Sequence, residues 1–133
     1  MSSSELHLAD LFEGYFRSYA LAFDAFDADR IAFYFHCPCM MVNANHIASF
    51  DTQETILRNV EGVLRHHENE GYAHASVRDF RAGRLADNLA TASVRWCVYK
   101  HDESILWEWS NSYNLADYGA GWKILVSTSH EAV

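Results

Sequence analysis

Apolar residues change their period once along this chain, from steps of three and four in the first half to steps of two in the second. Leu8, Leu11, Phe12, Tyr15, Phe16, Tyr19 and Phe23 fall on one stripe of a helix that faces a core. After a turn over residues 24–27, Asp27 or Asp29 can cap a short second helix carrying Ile31, Tyr34 and Phe35. That helix should end near Pro38, because proline disfavours a helical residue before it. Residues 40–43 and 46–50 read as a short strand pair around Ala44. Asp51, Thr52, Gln53 and Glu54 form a capping-box signature, Ile56, Leu57, Val60, Val63 and Leu64 follow at amphipathic spacing, and Gly71 is placed to end this third helix.

The period then becomes two over residues 72–82, 89–100, 105–116 and 122–130, with turn chemistry over 83–88, 101–104 and 117–121. This predicts an antiparallel meander. Strands of about ten residues are roughly twice the usual length, and in a small domain they must bend around something, here the helices. Alternation puts Val94, Trp96, Val98, Trp107, Trp109, Tyr113, Leu115, Trp122, Ile124 and Val126 on one face. Ser93, Arg95, Glu108, Ser110, Ser112, Asn114, Lys123, Ser127 and Ser129 fall on the other. The expected class is α+β, with an aromatic-lined concavity between helices and sheet.

With 133 residues, the chain is predicted to form one domain over 1–133. A net charge of -8 and scattered basic residues repel phosphate backbones, which argues against nucleic acid and anionic membrane as partners. Residues 1–10 contain no basic and apolar export signal, and no later run approaches the ~18 apolar residues of a membrane span, so a soluble cytoplasmic protein is expected. Three cysteines, two of them separated only by Pro38, read as reduced thiols.

Trp96, Trp107, Trp109 and Trp122 are core residues first, since each buries a large area. Asn111, Thr128 and His130 share their face by parity and are costly to bury unless they bond one another, water or a ligand. An apolar hollow with a few convergent polar groups is the ordinary form of a small-molecule site. His74 on the first long strand and His130 at the end of the last could move protons near neutral pH. His66 and His67 fall at the polar end of the third helix and read as solvated. Cys37, Cys39 and His36 lack a fourth ligand at useful spacing, so no metal is expected. Gly119 and Gly121 make only a GxG between strands, and Cys97 shows no specific sign of a nucleophile.

The order helix, helix, strand pair, helix, four-stranded meander resembles the SnoaL-like members of the NTF2-like superfamily. The likeness extends from about Leu8 to His130. It is carried locally by Phe26-Asp27-Ala28-Asp29-Arg30-Ile31 leading to His36-Cys37-Pro38, and by Tyr113-Asn114-Leu115 through Gly121-Trp122-Lys123-Ile124. It implies a cone of three N-terminal-half helices packed on a strongly bent, mostly antiparallel sheet. It also implies a homodimer through the outer sheet face, and no cofactor. Against the ketosteroid isomerases of that superfamily, the helix-one tyrosine falls on Tyr19, with Asp27 eight residues later. The general-base aspartate falls on Asn43 and the proton-donating aspartate on Asn111. An amide cannot take up a proton to become a stable neutral acid, so steroid isomerisation by that route is not expected, although Asn111 could donate to an oxyanion.

Two functional classes follow. One is a cofactor-free isomerase, cyclase or dehydratase with Tyr19, His74 and His130 as catalytic candidates and Asn43, Trp96, Trp107, Trp109, Asn111 and Tyr113 contacting the substrate. The other is a non-catalytic ligand-binding or accessory dimerisation module holding a small apolar or aromatic ligand.

Overall fold

The change of period becomes a change of secondary structure. Helices α1 (Ser3–Asp24), α2 (Ala28–Phe33) and α3 (Gln53–Glu70) fall in the first half, with the hairpin β1 (Phe35–Val42) and β2 (Ile47–Phe50) between α2 and α3. Strands β3 (His74–Ala86), β4 (Leu89–Tyr99), β5 (Ile105–Asp117) and β6 (Trp122–His130) complete one six-stranded sheet in the order β2-β1-β6-β5-β4-β3. The computed structural model describes residues 3–131, with side chains from His7 onward, so the ends of the expected 1–133 domain lie outside the described residues.

All neighbouring strands run antiparallel except β1 and β6, which run parallel. The fold is therefore α+β with a mostly antiparallel sheet. Register shifts interrupt four of the five strand pairings. Extra residues of this kind increase local twist and let long strands curl around the helices.

Helix α1 lies on the concave face of the sheet through Leu8, Phe12, Phe16 and Tyr19, all buried, while Leu11 at the margin of the predicted stripe is half exposed. Phe12 meets Trp122 edge-on at 5.1 Å, and Phe16 lies against Tyr113 at 4.5 Å. Asp27 caps α2 by accepting from the Arg30 amide at 3.2 Å. Thr52 caps α3 with Thr55 as its reciprocal partner, so a capping box forms, but one residue later than the predicted Asp51-to-Glu54 spacing. Gly71, at φ +95°, ends α3 in the left-handed conformation that glycine adopts without a Cβ clash.

Three expectations need correction. Helix α2 stops at Phe33, and Phe35 to Pro38 belong to β1 rather than to the helix. The Ile124 amide donates to the Tyr34 carbonyl at 2.8 Å, so pairing with β6 captures the chain there. Pro38 falls in the gap between the Phe35 and Met40 pairings, where a missing N–H costs no ladder bond. Strand β3 begins at His74 and continues to Ala86, leaving Asp87 and Asn88 as the turn in place of 83–88.

The third correction concerns faces. Asn114 pairs with Val126 but Leu115 pairs with Ile124, so Leu125 is an extra residue and alternation inverts beyond it. Ser127 and Ser129 turn inward, and Val126, Thr128 and His130 turn outward, the reverse of strict parity.

Phe12→Ala removes a side chain with no exposed surface from the α1–sheet contact. It should lower unfolding stability by about 3–5 kcal/mol, as for other buried aromatic truncations. Urea denaturation checks this, and a loss below about 1 kcal/mol would mean that α1 does not anchor on the sheet.

Candidate functional site

A cavity of about 530 Å³ opens between α3, the β1–β2 hairpin and the concave face of the sheet. It exists because α1 and α3 do different work. α1 packs directly on the sheet, whereas α3 packs mainly on α2 and meets the sheet chiefly at β2, so it stands over the sheet as a roof. Among the described residues no Lys, Arg, Asp or Glu lines the space. It is a mostly apolar hollow within the size range of small-molecule sites.

One end is closed by Tyr72, which is held in place by Asp24. At the last position of α1 the Asp24 Oδ1 accepts from the Tyr72 hydroxyl at 2.6 Å and from the Ala75 amide at 2.9 Å, tying the helix end to the start of β3. Burial, and secondarily the bond to Asp24, raises the Tyr72 pKa, so the phenol stays protonated. The His67 ring stacks on Tyr72 at 5.0 Å, with only 7° between the planes, and also packs against Phe23 and Trp107. Its Nδ1 is buried without a hydrogen-bond partner. Loss of solvent, with a smaller contribution from neighbouring His66, lowers the His67 pKa to about 4. At neutral pH this wall is therefore an uncharged imidazole.

The floor is a polar cluster on β5 and β6. Asn111, 5% exposed, accepts from Trp109 Nε1 at 2.5 Å and donates through Nδ2 to Ser127 Oγ at 2.9 Å and Ser129 Oγ at 3.1 Å. The indole N–H can only donate, so the amide oxygen must face Trp109 and the amide nitrogen must face the serines. Beside this cluster, Trp96 Nε1 donates to the Tyr113 hydroxyl at 3.1 Å. Tyr19 is buried in T-shaped contact with Phe16 and Phe23, and its hydroxyl has no hydrogen-bond partner among the described residues. Burial lifts the pKa of both Tyr19 and Tyr113 above the ordinary tyrosine value, so each remains a hydrogen-bond donor rather than a base.

Of the residues singled out from sequence, Tyr19, Asn43, Trp96, Trp107, Trp109, Asn111 and Tyr113 all line this one cavity. Asn43 stands at the exposed mouth, its Oδ1 taken by the Asn45 amide at 2.9 Å. Trp122 packs beneath α1 and lies outside the hollow. The two histidines chosen as proton carriers are elsewhere. His74 pairs with Tyr99 on the outer face, stacks on its ring at 4.9 Å and meets Glu103 at 3.1 Å, because its neighbour Ala75 takes the inward position. His130 follows the inversion at Leu125 to the outer face, where Nε2 lies 2.9 Å from Ser112 Oγ.

His67, Ser127 and Ser129 line the cavity, although the sequence pattern alone places them in solvent or on the outer face; His66 also borders it while remaining exposed, as expected. A signal for His67 is present: it follows Ile56, Val60 and Val63 at helical spacing and so continues the apolar stripe of α3. Nothing in the residue types marks the inversion that brings the serines in. Among the described residues no cluster of His, Cys, Asp and Glu is placed to hold a metal ion.

Solved structures match the fold closely at low identity. A Mycobacterium tuberculosis protein of unknown function aligns at TM-score 0.76 and 12% identity, covering 99% of this chain and 77% of that one. Aln2 from a Streptomyces species aligns at TM-score 0.75 and 12% identity, covering 98% and 94%. An NTF2-like protein with a cystatin-like fold from Novosphingobium aromaticivorans aligns at TM-score 0.72 and 15% identity, covering 96% and 85%. At such identities the likeness establishes the fold alone. No curated protein matches the chain by sequence. Residues 7–132 match the family described as NTF2-like protein (DUF6841). The chain belongs to that family, and its bent sheet and three helices are the NTF2-like fold.

Proposed function

We propose that this chain binds a small, ring-bearing, largely apolar molecule inside the cone and holds it without turning it over. The observation that carries this reading is the 530 Å³ hollow walled by tryptophan and tyrosine and, among the described residues, devoid of carboxylates and of lysine or arginine. Burying flat apolar surface against such walls is favourable, and the aromatic faces add stacking. Acid–base catalysis needs a group that changes protonation near the working pH. The positions of the isomerase acids are the amides Asn43 and Asn111, and the buried tyrosines are held as phenols.

One observation favours a second reading. His67 is a neutral imidazole in the cavity wall, and His46 and His66 also line the space, so a cofactor-free isomerase, cyclase or dehydratase would take its proton carrier from these three rather than from His74 or His130. On either reading the outer face, rich in serine around Ser93, Ser110 and Ser112, is proposed to pair with a second copy of the chain.

The cavity reading is tested by titrating the protein with 2-isopropenylnaphthalene and following tryptophan fluorescence. Saturable quenching is expected from the wild type. Val63→Trp, on the lip of α3, should fill the entrance and weaken binding at least about tenfold, the effect of losing ~1.4 kcal/mol. Equal binding by both proteins would remove the cavity as the site.

His67 gives a pH signature. Its folded pKa of about 4 lies below the ordinary 6.5, so between these values the unfolded chain takes up a proton that the folded chain excludes. Its stabilising contribution is complete above about pH 6.5 and is lost as pH falls toward 4. Urea midpoints measured at pH 7 and pH 5 should therefore fall more in the wild type than in His67→Phe. Identical falls would show that the imidazole is not buried in the neutral form.

A further inference from the structure

The hydrogen-bond inventory of the cavity floor is lopsided, and this specifies the ligand more closely. Asn111 has no capacity left to donate. One amide hydrogen goes to Ser127, the other to Ser129, and the amide oxygen takes the Trp109 indole. The serines are the complement: each hydroxyl oxygen receives a hydrogen from Asn111, and neither donates its own hydrogen to any described protein group. Both serines line the cavity. A hydroxyl that has accepted one bond is a better donor in the next, because chains of hydrogen bonds polarise one another. Asn111 thus acts as a positioning residue that fixes two O–H donors on adjacent inward positions of β6.

We propose that Ser127 and Ser129 together hold an uncharged oxygen acceptor, a ketone or quinone carbonyl, on an aromatic ligand whose rings lie against Trp96, Trp107 and Trp109. This rests on the ligand-binding reading above and narrows it to a chemical class. A carbonyl oxygen has two lone pairs and can receive both hydroxyls. A hydrocarbon of the same shape would leave both donors unsatisfied in a site from which water is displaced, at the cost that attends any buried polar group without a partner. A carboxylate would satisfy them but bring its charge into a hollow whose lining, among the described residues, holds no lysine or arginine and only the imidazoles of His46, His66 and the neutral His67. The donors to the ligand are the serines, not Asn111.

The test uses three naphthalenes of equal ring size and the intact protein. In tryptophan-quenching titrations, 2-acetylnaphthalene should bind about tenfold more tightly than 2-isopropenylnaphthalene, in which a CH₂ group replaces the carbonyl oxygen. 2-Naphthoate should bind at least about tenfold more weakly than the ketone; tenfold corresponds to ~1.4 kcal/mol. The Ser127→Ala/Ser129→Ala double variant should lose the preference for the ketone while binding the alkene as the wild type does, which also reports that the cavity has kept its shape. Ser127→Thr and Ser129→Thr, which retain the hydroxyl, should keep the preference. If the double variant does not fold, each single alanine variant should lose part of the preference.

Equal affinity of the wild type for ketone and alkene would overturn the carbonyl assignment and leave the cavity reading intact. So would tightest binding of the naphthoate. A preference that survives both alanine substitutions would overturn the role of the serines. Failure of all three compounds to bind would overturn the ligand-binding reading itself, and this assignment with it.

Discussion

Six curved strands present more concave surface than one helix can cover, and the rest of this structure depends on how that excess is handled. The aromatic stripe of α1 seals one part of the sheet by close packing, with Phe12, Phe16 and Tyr19 seated on β-strand side chains. Helix α3 is amphipathic as well, but it spends much of its apolar stripe on α2. What remains beneath it is enclosed by side chains without being filled by them. A layered domain normally buries both apolar faces against each other; here one layer stands off, and the gap is the cavity.

The polar groups in that gap are arranged so that no net charge is buried. Carboxylates are confined to its margin, where Asp24 is occupied by Tyr72 and the Ala75 amide. The amide of Asn111 serves where an acid would have to ionise or be protonated, and it can bond an indole and two hydroxyls at any ordinary pH. Its two bonds to Ser127 and Ser129 also join β5 to β6 through side chains, in addition to the backbone ladder between them. The site is consequently stiff at its floor, on strands, and depends for its roof on a helix held mainly by another helix.

Most of the architecture is legible in the sequence because it is written in periodicity. The α1 stripe, the capping signature at the start of α3, which falls within one residue of the observed cap, Gly71 and the alternation of Trp96, Trp107 and Trp109 each specify an element or a face by a local rule. The failures in strand and face share one cause, a long-range constraint overriding a local one. Phe35 to Pro38 look like the end of a helix until β6 is available to pair with Phe35. Ser129 and His130 exchange faces because Leu125 is inserted opposite β5, and no glycine or other turn residue announces it. His67 escapes notice for the opposite reason: its place on the helical stripe is a local signal, and the polarity of its ring hides it.

The end of α3 adds a dynamic consequence. The His67 ring closes the cavity against Tyr72, and the same residue's carbonyl accepts the Tyr72 amide at 2.9 Å in the turn that terminates the helix. Rotation of the ring about its own side-chain bonds leaves that backbone bond in place, whereas fraying of the last turn of α3 carries ring and carbonyl away from Tyr72 together. The firmness of this wall of the cavity is thereby tied to the local stability of the helix terminus.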